Sequence, residues 1–76
     1  MNENTYNGWR NYQTWNVALY IQNEFSFYQI AKSCKSYADW LYFSTGVRKG
    51  ATADGVMWND PRIDRAEIDS MIKELN

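Results

Sequence analysis

Residues 11–22, NYQTWNVALYIQ, form the segment against which the rest of the chain is predicted to pack. One helical face carries Val17, Tyr20 and Ile21, and a second face follows i, i+3, i+4, i+7 spacing through Tyr12, Trp15, Ala18, Leu19 and Gln22. A helix that is apolar on two faces is normally covered on both sides. We therefore expect a central helix that begins at Asn11 or Thr14, both acceptable N-caps, and ends near Asn23.

The middle of the chain predicts one long helix or two short ones. Ser26 followed by Gln29 resembles a capping box, so a second helix is expected from there, with one apolar face made by Phe27, Ile30, Ala31 and Cys34. That face extends through Ala38 and Leu41, which allows one helix from Phe27 to Thr45. Ser36 followed by Asp39 resembles a fresh helix start and favours a break near Lys35, with a third helix from Tyr37 to Ser44.

The C-terminal segment carries the clearest local helix signal. Asp64 is the predicted N-cap with Glu67 at N3, and Ile63 is placed to pack on Ile68. The apolar stripe of this helix is Ile68, Met71, Ile72 and Leu75. The predicted fold is an all-α single domain over residues 1–76, a bundle of three to four short helices with an N-terminal arm at 1–10 and a long loop at 46–62. Its expected core is Trp15, Leu19, Ile30, Leu41, Ile68 and Ile72.

Composition excludes several classes of site. Within 76 residues there is no histidine and one cysteine, Cys34, so an internal disulfide and the usual zinc sites are excluded, and Cys34 is expected to be a buried apolar side chain. No Gly-Lys-Ser/Thr phosphate loop is present. We therefore predict no enzyme, with no catalytic residue, cofactor or metal. No apolar run is long enough to span a bilayer and the first 13 residues are polar, so a cytoplasmic protein is expected.

Two segments resemble a known group of proteins. Residues 11–20 are similar to the N-Y-x-T-W-x-V-x-L-aromatic signature of a group of small uncharacterised phage and bacterial proteins, and residues 56–75 are similar to the C-terminal segment of that group. The chain departs from the group's pattern at Arg65 and Asp69, where a less charged helix face is expected. The resemblance implies relatives in phages or their hosts and, if the chain is phage-encoded, the host-cell cytoplasm as its location. It implies no reaction.

The functional prediction is a non-enzymatic helical interaction module, a phage-type accessory protein that binds a host protein, with homo-oligomers as a further possibility. Its partner-binding residues are predicted on the arm and the long loop: Trp9, Arg10, Arg48, Lys49 and Trp58. A nucleic-acid accessory protein that uses the same residues is the alternative, less favoured because the net charge is −1. Two structural roles compete with these site assignments. Trp9 and Trp58 could cover the ends of the core, and Arg48 and Lys49 could complement a helix C-terminus.

Overall fold

The computed structural model describes residues 5–76 and confirms the all-α prediction. Four helices lie within this range: α1 (Tyr12–Asn23), α2 (Phe25–Ala31), α3 (Tyr37–Phe43) and α4 (Arg65–Leu75). Paired β-structure in residues 5–76 consists of two isolated bridges, Tyr6 with Trp9 and Ala51 with Met57. No helix in this range is long and apolar enough to cross a membrane. Residues 1–4 of the predicted arm lie outside the described residues.

Three helices begin at the caps that the sequence predicts. The backbone N–H of Thr14 donates to the side chain of Asn11 at 2.9 Å, which settles the start of α1. The Ser36 hydroxyl accepts from the backbone N–H of Asp39 at 3.1 Å. The chain therefore breaks before α3, and the single long helix is wrong. At α4, the carboxylate of Asp64 accepts from the backbone N–H of Glu67 at 3.2 Å.

The start of α2 differs from the prediction. Ser26 is not an N-cap: α2 begins at Phe25, and its cap position is Glu24, which makes no side-chain capping hydrogen bond. Because α1 ends at Asn23, Glu24 alone separates the two helices. The chain therefore enters α2 before it reaches Ser26, and the predicted capping box does not form.

The first turns of α1 and α4 are joined to each other. The backbone N–H of Asp64 donates to the Thr14 hydroxyl at 2.8 Å, and the Asn11 side-chain amide donates to the carbonyl of Arg62 at 2.7 Å. Glu67 accepts from the backbone N–H of Arg10 at 2.7 Å rather than from its own cap residue. Polar residues within the 11–20 signature thus hold two helix ends together, which is a structural role.

The core is centred on rings that the sequence prediction did not place there. Tyr37 and Trp40 are stacked at 5.9 Å between ring centroids, and Trp40 lies 5.0 Å from Trp58. All three are buried, together with apolar residues from α1 and α4 that include Val17, Ala18, Ile21, Ile68 and Ile72.

Two of the predicted core residues lie elsewhere. Ile68 and Ile72 are buried, and Ile30 and Leu41 are partly buried against the core, whereas Trp15 and Leu19 are outside it. The buried apolar stripe of α1 runs instead through Val17, Ala18 and Ile21. Trp15 is half-buried and packs against Tyr6, 4.9 Å away, and Tyr12, 5.7 Å away. The N-terminal part of the second apolar face of α1 therefore packs against the Tyr6 ring, outside the core.

The charged residues that depart from the resembled pattern do not prevent α4 from docking. A carboxylate oxygen of Asp69 accepts from the backbone N–H of Tyr37 at 2.7 Å, at the start of α3. The Arg65 guanidinium lies 5.4 Å from the centre of the Tyr37 ring. Both charged side chains therefore contribute contacts between α3 and α4.

The 46–62 loop is held to α1 by a polar network. Asn16 is fully buried; its amide donates to Asp54 at 2.8 Å, and its carbonyl oxygen accepts from the Thr52 hydroxyl at 2.7 Å. Tyr20 also donates to Asp54, at 3.1 Å. Gly55 has φ +94°, a conformation that favours glycine and turns the chain back so that Val56 reaches the core. This loop is therefore a packed part of the domain.

Candidate protein-binding surface

Trp58 does not lie on the surface, contrary to the sequence prediction. Its side chain is 2% exposed and packs against Trp40 and Phe27. The Tyr37 hydroxyl donates to its backbone carbonyl at 2.6 Å. Trp58 therefore belongs to the core itself, whereas the structural alternative raised above placed it over an end of the core.

The other predicted contact residues differ in their exposure and in their contacts. Trp9 is half-buried against the core, and Arg10 is exposed with its backbone N–H bound to Glu67. Arg48 completes the C-terminal end of α3, because its guanidinium donates to the Leu41 carbonyl at 3.0 Å and to the Ser44 hydroxyl at 2.9 Å. Lys49 is exposed and lines a cavity that Trp58 also lines. The predicted residues are therefore not all available to a partner, because the Arg48 guanidinium is bound to α3 and Trp58 is buried.

The most exposed aromatic side chain on the described residues is at the end of α3. Tyr42 is 74% exposed and its neighbour Phe43 is 61% exposed, with the two rings edge to face at 5.0 Å between centroids. The cause is helical geometry. Because α3 buries Tyr37, Trp40 and the cap residue Ser44, positions 42 and 43 point away from the core.

Phe43 also forms one wall of a groove between α2 and α3. The groove has a volume of about 350 Å³ and a mostly apolar surface, and its lining is Gln29, Ile30, Ser33, Cys34 and Phe43. We call Tyr42 together with these groove residues the aromatic face. Exposed apolar surface that adjoins an apolar groove is typical of a binding region on a soluble protein.

Cys34 contributes to this face as an apolar wall. Its side chain is 2% exposed, and its thiol donates to the Ile30 carbonyl at 3.2 Å. Burial raises the pKa of the Cys34 thiol, with the Asp39 charge acting in the same direction. The thiol therefore stays protonated at neutral pH, and a protonated, buried thiol is a poor nucleophile.

Two lysines lie next to the groove in the chain. Lys32 and Lys35 flank the lining residues Ser33 and Cys34, and both are exposed. The Lys32 ammonium lies 5.5 Å from the centre of the Tyr28 ring. Within residues 5–76 the ion pair formed is Arg62 with Asp60 at 2.8 Å, so neither lysine is neutralised there. The two lysines place positive charge at this edge of the aromatic face, close to the Asp39 carboxylate, which accepts from the backbone N–H of Lys35 at 3.2 Å.

The sequence contained a signal for the aromatic face. The segment 37–44 places Tyr37, Trp40 and Ser44 at i, i+3 and i+7, so Tyr42 and Phe43 fall on the other side of the helix. Two large aromatic residues on the polar side of a short helix indicate a contact surface.

Side chains that ligate metals are dispersed in the structure. Within residues 5–76 no three His, Cys, Asp or Glu residues lie close enough to hold a metal ion. Asp60, one of the acidic residues of the loop, is paired with Arg62, whose guanidinium and backbone N–H hold the pKa of that carboxyl below its usual range.

A comparison with protein-family models matches residues 2–76 to DUF7249, a family of unknown function. The chain belongs to the DUF7249 family. This agrees with the resemblance to a group of small uncharacterised proteins, which the 11–20 signature indicated. Searches against curated proteins and solved structures found no match.

Proposed function

We propose that this DUF7249 protein is a non-enzymatic module that binds a protein partner through the aromatic face. The observation that carries the proposal is the exposure of Tyr42 and Phe43, 74% and 61%, beside an apolar groove. Binding energy in protein interfaces is concentrated in a few residues, and tyrosine is among the types enriched there. The aromatic face supplies such anchors on a helix that the core holds in place.

Rigid support is the second argument. Trp40 and Tyr37, on the opposite side of α3, are fully buried, and the Trp40 indole N–H donates to the Phe27 carbonyl at 3.1 Å. This bond ties α3 to α2, the other wall of the groove. A groove with fixed walls loses less conformational entropy when a partner binds.

The nucleic-acid alternative loses much of its support. It requires Trp58 and Arg48 to be available for stacking and phosphate contact, whereas Trp58 is buried and the Arg48 guanidinium is bound to the end of α3. The resemblance to phage and bacterial proteins makes a host protein in the cytoplasm the partner to seek first. A second copy of the chain is the other protein to be tested.

Site-specific photocrosslinking in cells tests the proposal. Phe43 is replaced by p-benzoylphenylalanine, and in a matched control the same residue replaces Phe25, which is 69% exposed and lies at the other end of α2. We expect a defined crosslinked protein from position 43 and none, or a different one, from position 25. Each purified candidate is then titrated with wild type, with Tyr42→Ala/Phe43→Ala and with Phe25→Ala.

The expected result is a loss of at least about tenfold in affinity, or about 1.4 kcal/mol, for the double variant with little change for Phe25→Ala. Circular dichroism checks that the variants are folded. If position 43 captures no protein, or if the double variant binds every captured protein as tightly as wild type does, the aromatic face is not the binding surface.

A further inference from the structure

A second cavity lies where the end of α1, the start of α2 and the 46–62 loop meet. Its volume is about 420 Å³, within the roughly 300–1,000 Å³ typical of small-molecule sites. Its lining includes the apolar residues Phe27, Val47 and Trp58. We call it the loop cavity. It shares no lining residue with the α2–α3 groove, so it is independent of the proposed protein-binding surface.

Two opposite charges line the loop cavity without neutralising each other. Glu24 and Lys49 are both exposed, and neither forms an ion pair within residues 5–76. Glu24 occupies the N-cap position of α2, yet its carboxylate makes no capping hydrogen bond. A carboxylate and an ammonium group are therefore both free to bind a ligand in this one cavity.

Further polar groups of the lining are held in place. The Tyr20 hydroxyl donates to Asp54, so its oxygen retains a lone pair that can accept a hydrogen bond, whereas the Thr52 hydroxyl donates to Asn16 and already accepts from the backbone N–H of Val56 at 3.1 Å. Burial and the neighbouring Asp54 carboxylate raise the pKa of Tyr20, which keeps its hydroxyl neutral. The Tyr20 oxygen favours a ligand group that donates, such as an ammonium.

The Trp58 indole has a buried N–H group without a hydrogen-bond partner among the described residues. Its Nε1 atom is buried and has no hydrogen-bond partner, whereas other buried side-chain nitrogen and oxygen atoms in residues 5–76 are partnered. Buried polar groups without a partner are rare in native proteins and call for an explanation. A ligand in a cavity that Trp58 lines changes the surroundings of this N–H.

We propose that the loop cavity binds a free amino acid with an apolar side chain. Its carboxylate would pair with the Lys49 ammonium, its ammonium with the Glu24 carboxylate, and its side chain would lie against Phe27, Val47 and Trp58. A ligand that carries only a negative charge would leave the Glu24 carboxylate unpaired. A ligand that carries only a positive charge would leave the Lys49 ammonium unpaired. A zwitterion satisfies both charges and the apolar walls together.

The test is a titration followed by ¹H–¹⁵N NMR, with L-phenylalanine as the probe. The Trp58 indole N–H signal is identified by its loss in Trp58→Phe and then serves as the reporter. 3-Phenylpropionate, which lacks the ammonium, and phenethylamine, which lacks the carboxylate, are titrated in parallel. Lys49→Gln and Glu24→Gln remove one charge each at exposed positions, and Lys32→Gln is the matched control outside the cavity.

We expect a saturable shift of the Trp58 signal with L-phenylalanine, and affinities at least about tenfold weaker for the two analogues and for the Lys49 and Glu24 variants. The Lys32 variant should bind as wild type does. The proposal is overturned by the absence of a saturable shift in wild type, by equal affinities for the three compounds, or by unchanged binding in both charge variants. Phe43→Ala should leave the titration unchanged, so this result is separable from the protein-binding test.

Discussion

Replacing Asn16 by alanine tests how the 46–62 loop is held to the helices. The Asn16 side chain is fully buried and connects α1 to Asp54 and Thr52 through hydrogen bonds of 2.8 and 2.7 Å. The Thr52 hydroxyl in turn accepts from the backbone N–H of Val56 at 3.1 Å, next to the buried part of the loop. Asn16→Ala therefore leaves the Thr52 hydroxyl without its acceptor and leaves Asp54 without one of its hydrogen-bond donors.

The magnitude follows from these two bonds. A neutral hydrogen bond contributes about 0.5–1.5 kcal/mol and one to a charged group about 1.5–3 kcal/mol. Because Asp54 is exposed, its hydrogen bond with Asn16 is expected to contribute near the lower end of the range for charged groups. The higher helix propensity of alanine offsets up to about 0.7 kcal/mol of the lost stability. We expect Asn16→Ala to lower the free energy of unfolding by about 2 kcal/mol. In a domain of this size that is a large part of the roughly 3–5 kcal/mol that one core supplies.

Urea unfolding followed by tryptophan fluorescence measures this loss. The matched control is Asn23→Ala, the same substitution at the exposed last residue of α1. Thr52→Val removes the hydroxyl at nearly constant shape, and a double-mutant cycle with Asn16→Ala should give a coupling energy above about 0.5 kcal/mol. Limited proteolysis within the loop should also become faster. If Asn16→Ala costs no more than Asn23→Ala, the buried amide does not hold the loop and this reasoning is wrong.

Three further predictions concern buried or capping hydroxyls. Burial raises the pKa of Tyr37 above its ordinary value of 10.0, although Arg65 and Arg48 act to lower it. The stability gained by burying the neutral Tyr37 hydroxyl is thus complete below the pKa that Tyr37 has in the unfolded chain. That stability is lost as the pH rises above this unfolded-state pKa. Urea midpoints should therefore fall in alkali, and less steeply in Tyr37→Phe; equal slopes would assign the effect to another group. Ser36→Ala should lower the free energy of unfolding by about 0.5–2 kcal/mol without any gain in helix content by circular dichroism, since a gain would mean that α2 and α3 can merge. Thr14→Val should lower the free energy of unfolding, measured by thermal unfolding, by about 1–3 kcal/mol, because the backbone N–H of Asp64 loses its acceptor. Thr14→Ser keeps the hydroxyl and should retain most of the stability.

Helix starts with a side-chain cap could be predicted from the sequence. Asn11, Ser36 and Asp64 each accept a backbone N–H three residues later, and such a bond depends only on residues within one turn. The apolar stripe of α4 is likewise local, because Ile68 and Ile72 repeat at the helical period. These signals were sufficient for the all-α class, the break before α3 and the beginning of the last helix.

The tertiary structure decided which apolar residues form the core and which remain on the surface. Trp58 lies in a segment without helical periodicity, so its burial could not be predicted from the sequence. It is buried because the loop is hydrogen-bonded to Asn16 and places Trp58 against Trp40. Trp15 lies on a strongly apolar helix, yet α1 packs through a different stripe, and Trp15 is left among surface rings. The aromatic face arises in the same way, because α3 can bury only one side. Caps depend on neighbours in sequence, whereas burial depends on which distant segments meet, and that arrangement is set by packing of the whole chain.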